Sequence, residues 1–261
     1  MSSDVNLHVL YKVANAPVNL YPFPHIYVSE VFPRDYYRQL REHLPPADAY
    51  RTLNTLNSRV SAYYPDTRLV MAVKKESIDA LAEPVRGFWD GLARWLLGGF
   101  GEMVLAKFGQ FLDQRFGDSR AMEYYDEALV VQDYTTYSLG PHTDSPSKVV
   151  SFLFYLPPDD ALAHLGTSIY VPKDPNFVCP GGPHHPFERF QRMATMPFLP
   201  NSLFAFVKTH KSFHGVEPIK ESGVRRDLLL YDIRVQNPPE LKQQPQAAAQ
   251  PAAAPASKFS F

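Results

Sequence analysis

The chain has 261 residues, 45% of them hydrophobic, and a formal net charge of -1. That length suits one sizeable domain with appendages, and the near-neutral balance argues against a general nucleic-acid or anionic-membrane surface. A lone cysteine, Cys179, excludes an intrachain disulfide and fits a reducing, cytoplasmic setting. The opening MSSDVNLHVL lacks a basic segment followed by an apolar run, so no signal peptide is expected, and no apolar stretch reaches membrane-spanning length.

Residues 33 to about 116 read as mostly helical support. In PRDYYRQLREHLP, Tyr36, Leu40 and Leu44 fall at helical spacing, with Pro33 opening the segment and Pro45 closing it. Pro84 suits the first turn of EPVRGFWDGLARWLL, whose Val85, Phe88, Leu92, Trp95 and Leu96 form one apolar stripe. Gly98 and Gly99 break that pattern, and a further helix is predicted from about Gly101 to Phe116. These stripes read as core packing.

From about residue 128 the period changes. ALVVQDYTTY, KVVSFLFYL, GTSIYV, SLFAFV and DLLLYDIRV are short runs rich in β-branched and aromatic residues, punctuated by Pro, Gly, Asn and Asp. Helices followed by a run of strands predict an α+β chain, a sheet sandwich or barrel with helices outside it. The stretch Pro172 to Pro197, containing CPGGPHHPF, is a long excursion of the kind that forms lids or stays unstructured. Its His184-His185 pair reads as solvated loop and Cys179 as inert. Residues 238–261, rich in Gln, Pro and Ala, read as a disordered tail following a single domain over 1–237, with its sheet core at about 128–237.

His142-Thr-Asp144 carries the chemistry. On an extended segment the two side chains point to one face, so both can reach one ion. Gly140-Pro141 before the pair and Ser145-Pro146 after it place it where a strand gives way to a loop. Two imidazoles and a carboxylate are the ligand set of a non-haem iron oxygenase. The second imidazole has to come from a distant strand, and His210 and His214 share strand parity, so alternation does not separate them. An arginine pair, Arg225-Arg226, follows; only one of two neighbouring strand residues can point inward, and a guanidinium offers a planar fork to a carboxylate.

PHTDSPSK, the FYLP strand, Pro200-Asn201-Ser202-Leu203, and FHGVEPI followed by GVRRDLLLY resemble the Fe(II)/2-oxoglutarate-dependent dioxygenases, with the bacterial prolyl 4-hydroxylase-like branch nearest in layout. YPFPHIYVSEVFPRDYYRQL resembles the lead-in helix of bacterial members, and the likeness spans roughly residues 20 to 235. It implies a double-stranded β-helix, a cupin-like jelly-roll with helical support, holding Fe(II) between its sheets and using 2-oxoglutarate and O2. By position, His142, Asp144 and His214 would bind the iron. Arg225, favoured over Arg226 by the G-x-R-x-x-L layout, would grip the distal carboxylate of 2-oxoglutarate, and Tyr155 would help. Tyr137 and Tyr134 are weaker candidates for the pocket lining, alongside Lys148, Ser151 and the Gly166-Thr167-Ser168 run, while Lys208 and His210 read as a second polar layer or as surface. Keeping Asp144 implies hydroxylation or desaturation rather than halogenation.

The substrate implied is a small molecule or an amino-acid or peptidyl side chain, because fold does not choose more finely. Two other readings are a non-catalytic cupin-like metal or ligand binder, which would not need the arginine, and an interaction protein docking through its helices and tail.

Overall fold

The computed structural model describes residues 1–53 and 67–238; the expected tail lies outside these, apart from Pro238. Helix α1 (Ser3–Asn15) precedes strand β1 (His25–Ser29), helix α2 (Arg34–Glu42), and strands β2 (Arg51–Thr52) and β3 (Arg68–Ala72). Helices α3 (Lys75–Asp79), α4 (Val85–Trp95) and α5 (Gly101–Phe116) follow. The remaining strands are β4 (Tyr124–Tyr134), β5 (Leu139–His142), β6 (Lys148–Tyr155), β7 (Thr167–Pro172), β8 (Phe190–Met196), β9 (Ser202–Val207), β10 (His214–Val216) and β11 (Arg225–Val235).

Two antiparallel sheets form, one in the order β1-β9-β6-β11-β4-β3-β2 and one in the order β5-β10-β7-β8. From β4 onward the chain passes back and forth between them, with only β7 and β8 consecutive in one sheet. That winding is the expected jelly-roll.

Side-chain alternation assigns the faces. On β6, Val150, Phe152 and Phe154 face the helices, as do Leu203, Ala205 and Val207 on β9 and Leu229, Tyr231 and Ile233 on β11. They meet Trp89, Leu92, Leu96, Phe100, Val104 and Phe108 in the larger apolar cluster. The opposite parity, Tyr155, Phe204, Phe206 and Leu228, packs between the sheets with Val70, Val131, Ile169 and Phe198. The large sheet is thus buried on both faces.

Helices α2 and α4 sit where the apolar stripes predict them. The Gly98-Gly99 break is a π-turn, Leu96–Phe100, in which both glycines leave helical backbone angles before α5 begins. The helical region is not all helical, however: β2 and β3 extend the large sheet through it, and Arg68 and Asp133 pair there as buried ions. The excursion after β7 is shorter than expected, because FQRMATM forms β8, an edge strand whose middle residues are exposed. No helix among the described residues is long and apolar enough to cross a membrane.

Phe100 is fully buried, with ring centroids 4.8 Å from Trp95, 5.7 Å from Phe152 and 5.3 Å from Tyr231. Phe100→Ala should cost about 3–5 kcal/mol in urea unfolding. A loss under about 1 kcal/mol would mean that the helices do not share this core with the large sheet.

Candidate metal centre and anion-binding wall

Strand β5 is short and ends at His142; β10 lies beside it, with His214 directly opposite His142. The approach is close enough that a Cβ at Gly215 would stand 2.4 Å from the Leu139 carbonyl oxygen, so only glycine permits it. Each imidazole is aimed by its own backbone. Nδ1–H of His142 donates to the Gly140 carbonyl at 3.0 Å, and Nδ1–H of His214 donates to the Ser212 carbonyl at 3.0 Å. That fixes the tautomer and leaves both Nε2 lone pairs to face the cavity.

Asp144 completes the group. Its Oδ1 lies 3.9 Å from Nε2 of each histidine, and one ligand atom from each of His142, Asp144 and His214 falls within 4.8 Å of the others. Oδ2 accepts a hydrogen bond from Ser151 Oγ at 2.8 Å, and Lys148 Nζ stands 3.2 Å from Oδ1 while also reaching Asp232 at 3.0 Å. All three donor residues are buried. His210, by contrast, is exposed, so the structure separates the two histidines that alternation could not.

Burial lowers the pKa of both ligand imidazoles, and the mutual repulsion of His142 and His214 adds to it at His142. Burial alone would raise the Asp144 carboxyl. Lys148, the two imidazoles and the Ser151 hydroxyl outweigh it and hold the acid below the usual carboxylate range. Two neutral imidazoles and one anionic oxygen, convergent and shielded, are a donor set that fits a divalent first-row metal.

The other wall of the same cavity is cationic. The cavity measures about 70 Å³, several times what one water needs (~10–15 Å³), and is lined by His142, Asp144, His214, Arg68, Thr167 and Arg226 among others. Arg226, not Arg225, faces inward. The expectation for Arg225 is therefore corrected: its side chain is 50% exposed and pairs with Asp227 on the outer face of the large sheet. Strand alternation puts residue 226 on the same face as Leu228 and Asp232, which also line the cavity.

Arg226 is fully buried and donates through Nη1 to Asp133 at 3.0 Å, but its Nε and Nη2 have no hydrogen-bond partner among the described residues. Asp133 is shared with Arg68, which holds it in a fork at 2.6 and 2.9 Å. One carboxylate thus faces two guanidiniums, and two buried Arg226 N–H groups are unspent among the described residues. Such groups are costly unless something accepts from them. A carboxylate fits.

Tyr155 and Tyr137 are both buried but lie behind the cavity surface. The Tyr155 ring packs on Phe198 at 5.1 Å, the same ring that Arg226 overlies at 5.0 Å, and its hydroxyl accepts from the Thr167 N–H at 3.2 Å. Burial pushes its phenol pKa up to about 12. Tyr137 supports the guanidinium of Arg68 with its ring, 4.4 Å away. The half-buried Tyr134 donates to Gln132 instead.

The reading of His184 and His185 as solvated loop is overturned. The His184 ring lies 4.7 Å from that of His142, and burial, reinforced by His214 and Arg68, depresses its pKa to about 4. His185 sits among Phe177, Phe190 and Phe213. Arg68, Asp133 and Asp232 are site residues that the sequence reading missed. The signal for the two acids was present: a charge inside an apolar strand run is seldom buried without a partner.

No family model and no curated protein matches the chain. Solved structures similar to it include a Pseudomonas putida prolyl-4-hydroxylase, at 14% identity and TM-score 0.48, over 89% of this chain and 100% of that one. The dioxygenase for auxin oxidation 1 from Arabidopsis thaliana, bound to 2-oxoglutarate, gives 10% identity and TM-score 0.48 over 91% of each chain. HygX from Streptomyces hygroscopicus, with nickel and 2-oxoglutarate bound, gives 10% and 0.45 over 90% of this chain and 87% of that one. Identities of this size speak to fold alone, and with TM-scores under 0.5 the jelly-roll stands on the sheet order itself.

The buried imidazoles make acid sensitivity a consequence of folding. In the unfolded chain they bind protons near pH 6.5, whereas in the fold they resist protonation until lower pH, so stability is full above about 6.5 and falls as pH drops toward the folded values. The thermal midpoint of metal-free protein should therefore fall between about pH 7.5 and about pH 5.5, and the His142→Asn, His214→Asn double variant should show a flatter dependence. Equal slopes would mean that these imidazoles titrate normally in the fold.

Proposed function

We propose that the chain is an Fe(II)- and 2-oxoglutarate-dependent oxygenase, hydroxylating a C–H bond of a small metabolite or of an amino-acid or peptidyl side chain. The observation that carries this reading is Arg226, a fully buried guanidinium with two nitrogens that meet no partner among the described residues, on the wall of the cavity lined by His142, Asp144 and His214. A site for a metal alone has no use for it.

In this reading Nε2 of His142, an Asp144 oxygen and Nε2 of His214 hold the iron on one face, and Arg226 receives the distal carboxylate of 2-oxoglutarate. When bound, iron and co-substrate supply an O2-derived oxidant for C–H bonds, with release of succinate and CO2. The protein supplies placement. Ser151 and Lys148 hold the Asp144 carboxylate in orientation and keep it ionised. Phe206, Leu139, Val216 and Leu228 line the cavity and limit water near the reacting groups. Tyr155 braces the Phe198 ring beneath Arg226, and Tyr137 does the same for Arg68. Asp144 occupies the third protein position as an anion, which favours hydroxylation over halogenation.

Anaerobic addition of Fe(II) and 2-oxoglutarate should produce a weak visible charge-transfer band, and His142→Ala should abolish it. Arg226→Lys keeps the charge but loses the fork, and should weaken 2-oxoglutarate by about ten- to a hundredfold, or roughly 1.4–2.8 kcal/mol. Arg225→Ala should leave the co-substrate affinity within about twofold. Metal binding with no 2-oxoglutarate dependence would instead support a non-catalytic cupin-like binder.

A further inference from the structure

The excursion between β7 and β8 crosses the end of the small sheet and lies against the turn that carries the metal donors. Hydrogen bonds tie its Cys179–His185 part down. The Cys179 N–H donates to the His210 carbonyl at 2.9 Å, and the Cys179 carbonyl accepts from Thr143 Oγ1 at 2.9 Å. The Pro180 carbonyl accepts from Lys208 Nζ at 2.6 Å, and Lys208 is fully buried. The His185 N–H donates to the Pro141 carbonyl at 2.9 Å. Residues 141 and 143 are thus backed by one short segment.

Gly181 makes the closest approach. A Cβ there would stand 2.3 Å from the Asp144 carbonyl oxygen, 3.0 Å from Pro146 Cδ and 3.1 Å from Ser145 Cα. Two of those atoms are backbone, so no side chain can swing aside to make room. Asp144 lies past the end of β5 and before the start of β6, so sheet pairing does not set its position as it sets that of His142.

We propose that the Cys179–His185 segment is a fixed brace for the metal-binding turn rather than a lid, with Gly181 as the positioning residue that sets where the Asp144 backbone sits. The inference rests on the reading of His142, Asp144 and His214 as a metal site. Ser151 and Lys148 orient the carboxylate from the cavity side; the brace fixes its main chain from behind. Opening the segment as a lid would break the bond to a buried ammonium and uncover the turn. The same brace sets His184 against His142, which limits the freedom of the liganding ring.

Gly182 supplies a matched control. Its φ of +120° is as unfavourable to a side chain as the +134° of Gly181, yet a Cβ there meets nothing within 4 Å. Gly181→Ala and Gly182→Ala therefore share backbone strain and differ in the clash with Asp144. The experiment measures Mn(II) affinity from the free-ion electron paramagnetic resonance signal, with the thermal midpoint of each metal-free variant recorded beside it. Gly181→Ala should bind Mn(II) about 10–100-fold more weakly than Gly182→Ala, and Thr143→Val should weaken it in the same direction by less. Equal Mn(II) affinity in the two glycine variants overturns the brace, even where the Gly181→Ala midpoint falls. If Gly181→Ala does not fold, Thr143→Val decides, and wild-type affinity in that variant overturns it. Wild-type protein that binds no Mn(II) sinks the metal-site reading and the brace with it, whereas tight wild-type binding with matched variants sinks the brace alone.

Discussion

Strands β5 and β10 meet with His214 opposite His142, and the spacing of the two imidazoles follows from that pairing. Both strands are short, so few ladder bonds hold the register. Gly215 lets the backbones approach, and the Gly140 and Ser212 carbonyls turn each ring so that Nε2 points into the cavity. A slip of one residue would send one imidazole to the opposite face and dissolve the donor set. Every other part of the site is arranged around this pair: Asp144 reaches back from the next turn, and β6 supplies Ser151 and Lys148 to hold it.

Electrostatics divide the cavity. On the donor side, Lys148 stands between the Asp144 and Asp232 carboxylates, and Arg234 reaches Asp232 at 3.7 Å. On the far side, the Asp133 carboxylate lies between the guanidiniums of Arg68 and Arg226. In the proposed function a dicarboxylate would meet the metal with one end and Arg226 with the other, and so would touch both walls.

Much of this was legible from residue order. The H-x-D pair, its place at a strand end and the later strand runs were all readable, because strands β6, β7, β9 and β11 are apolar and well punctuated. The facing of Arg225 and Arg226 was not. Alternation marks the inner face only where the outer face is wet, and β11 is covered by helices on one side and by the small sheet on the other. Leu228, Leu229 and Leu230 are accordingly all apolar, and the pattern carries no parity. β8 was missed for the opposite reason: an exposed edge strand needs little apolar content, so FQRMATM looks like loop. Arg68 was hidden because its strand interrupts a region dominated by helical spacing. His184 and His185 were misplaced because glycine and proline signal a turn without saying what the turn lies against.

The three residues that could hold a metal come from the small sheet and its β5–β6 turn, whereas Arg226, Arg68 and Asp133 come from the large sheet, so the cavity exists only at the separation the two sheets keep. That separation is set by the rings between them. Phe206 lies 4.4 Å from His214 and 5.2 Å from Phe204, while Phe198 stands between Tyr155 and Arg226. Close-packed aromatic layers compress little, so the distance from donors to guanidinium is a property of the core rather than of any loop. The helices contribute indirectly, because the apolar layer they form behind β6, β9 and β11 keeps the large sheet from flexing away. A ligand spanning the cavity would therefore be measured by a rigid gauge, and in the proposed function the reach of a short dicarboxylate would be selected by the same packing that stabilises the fold.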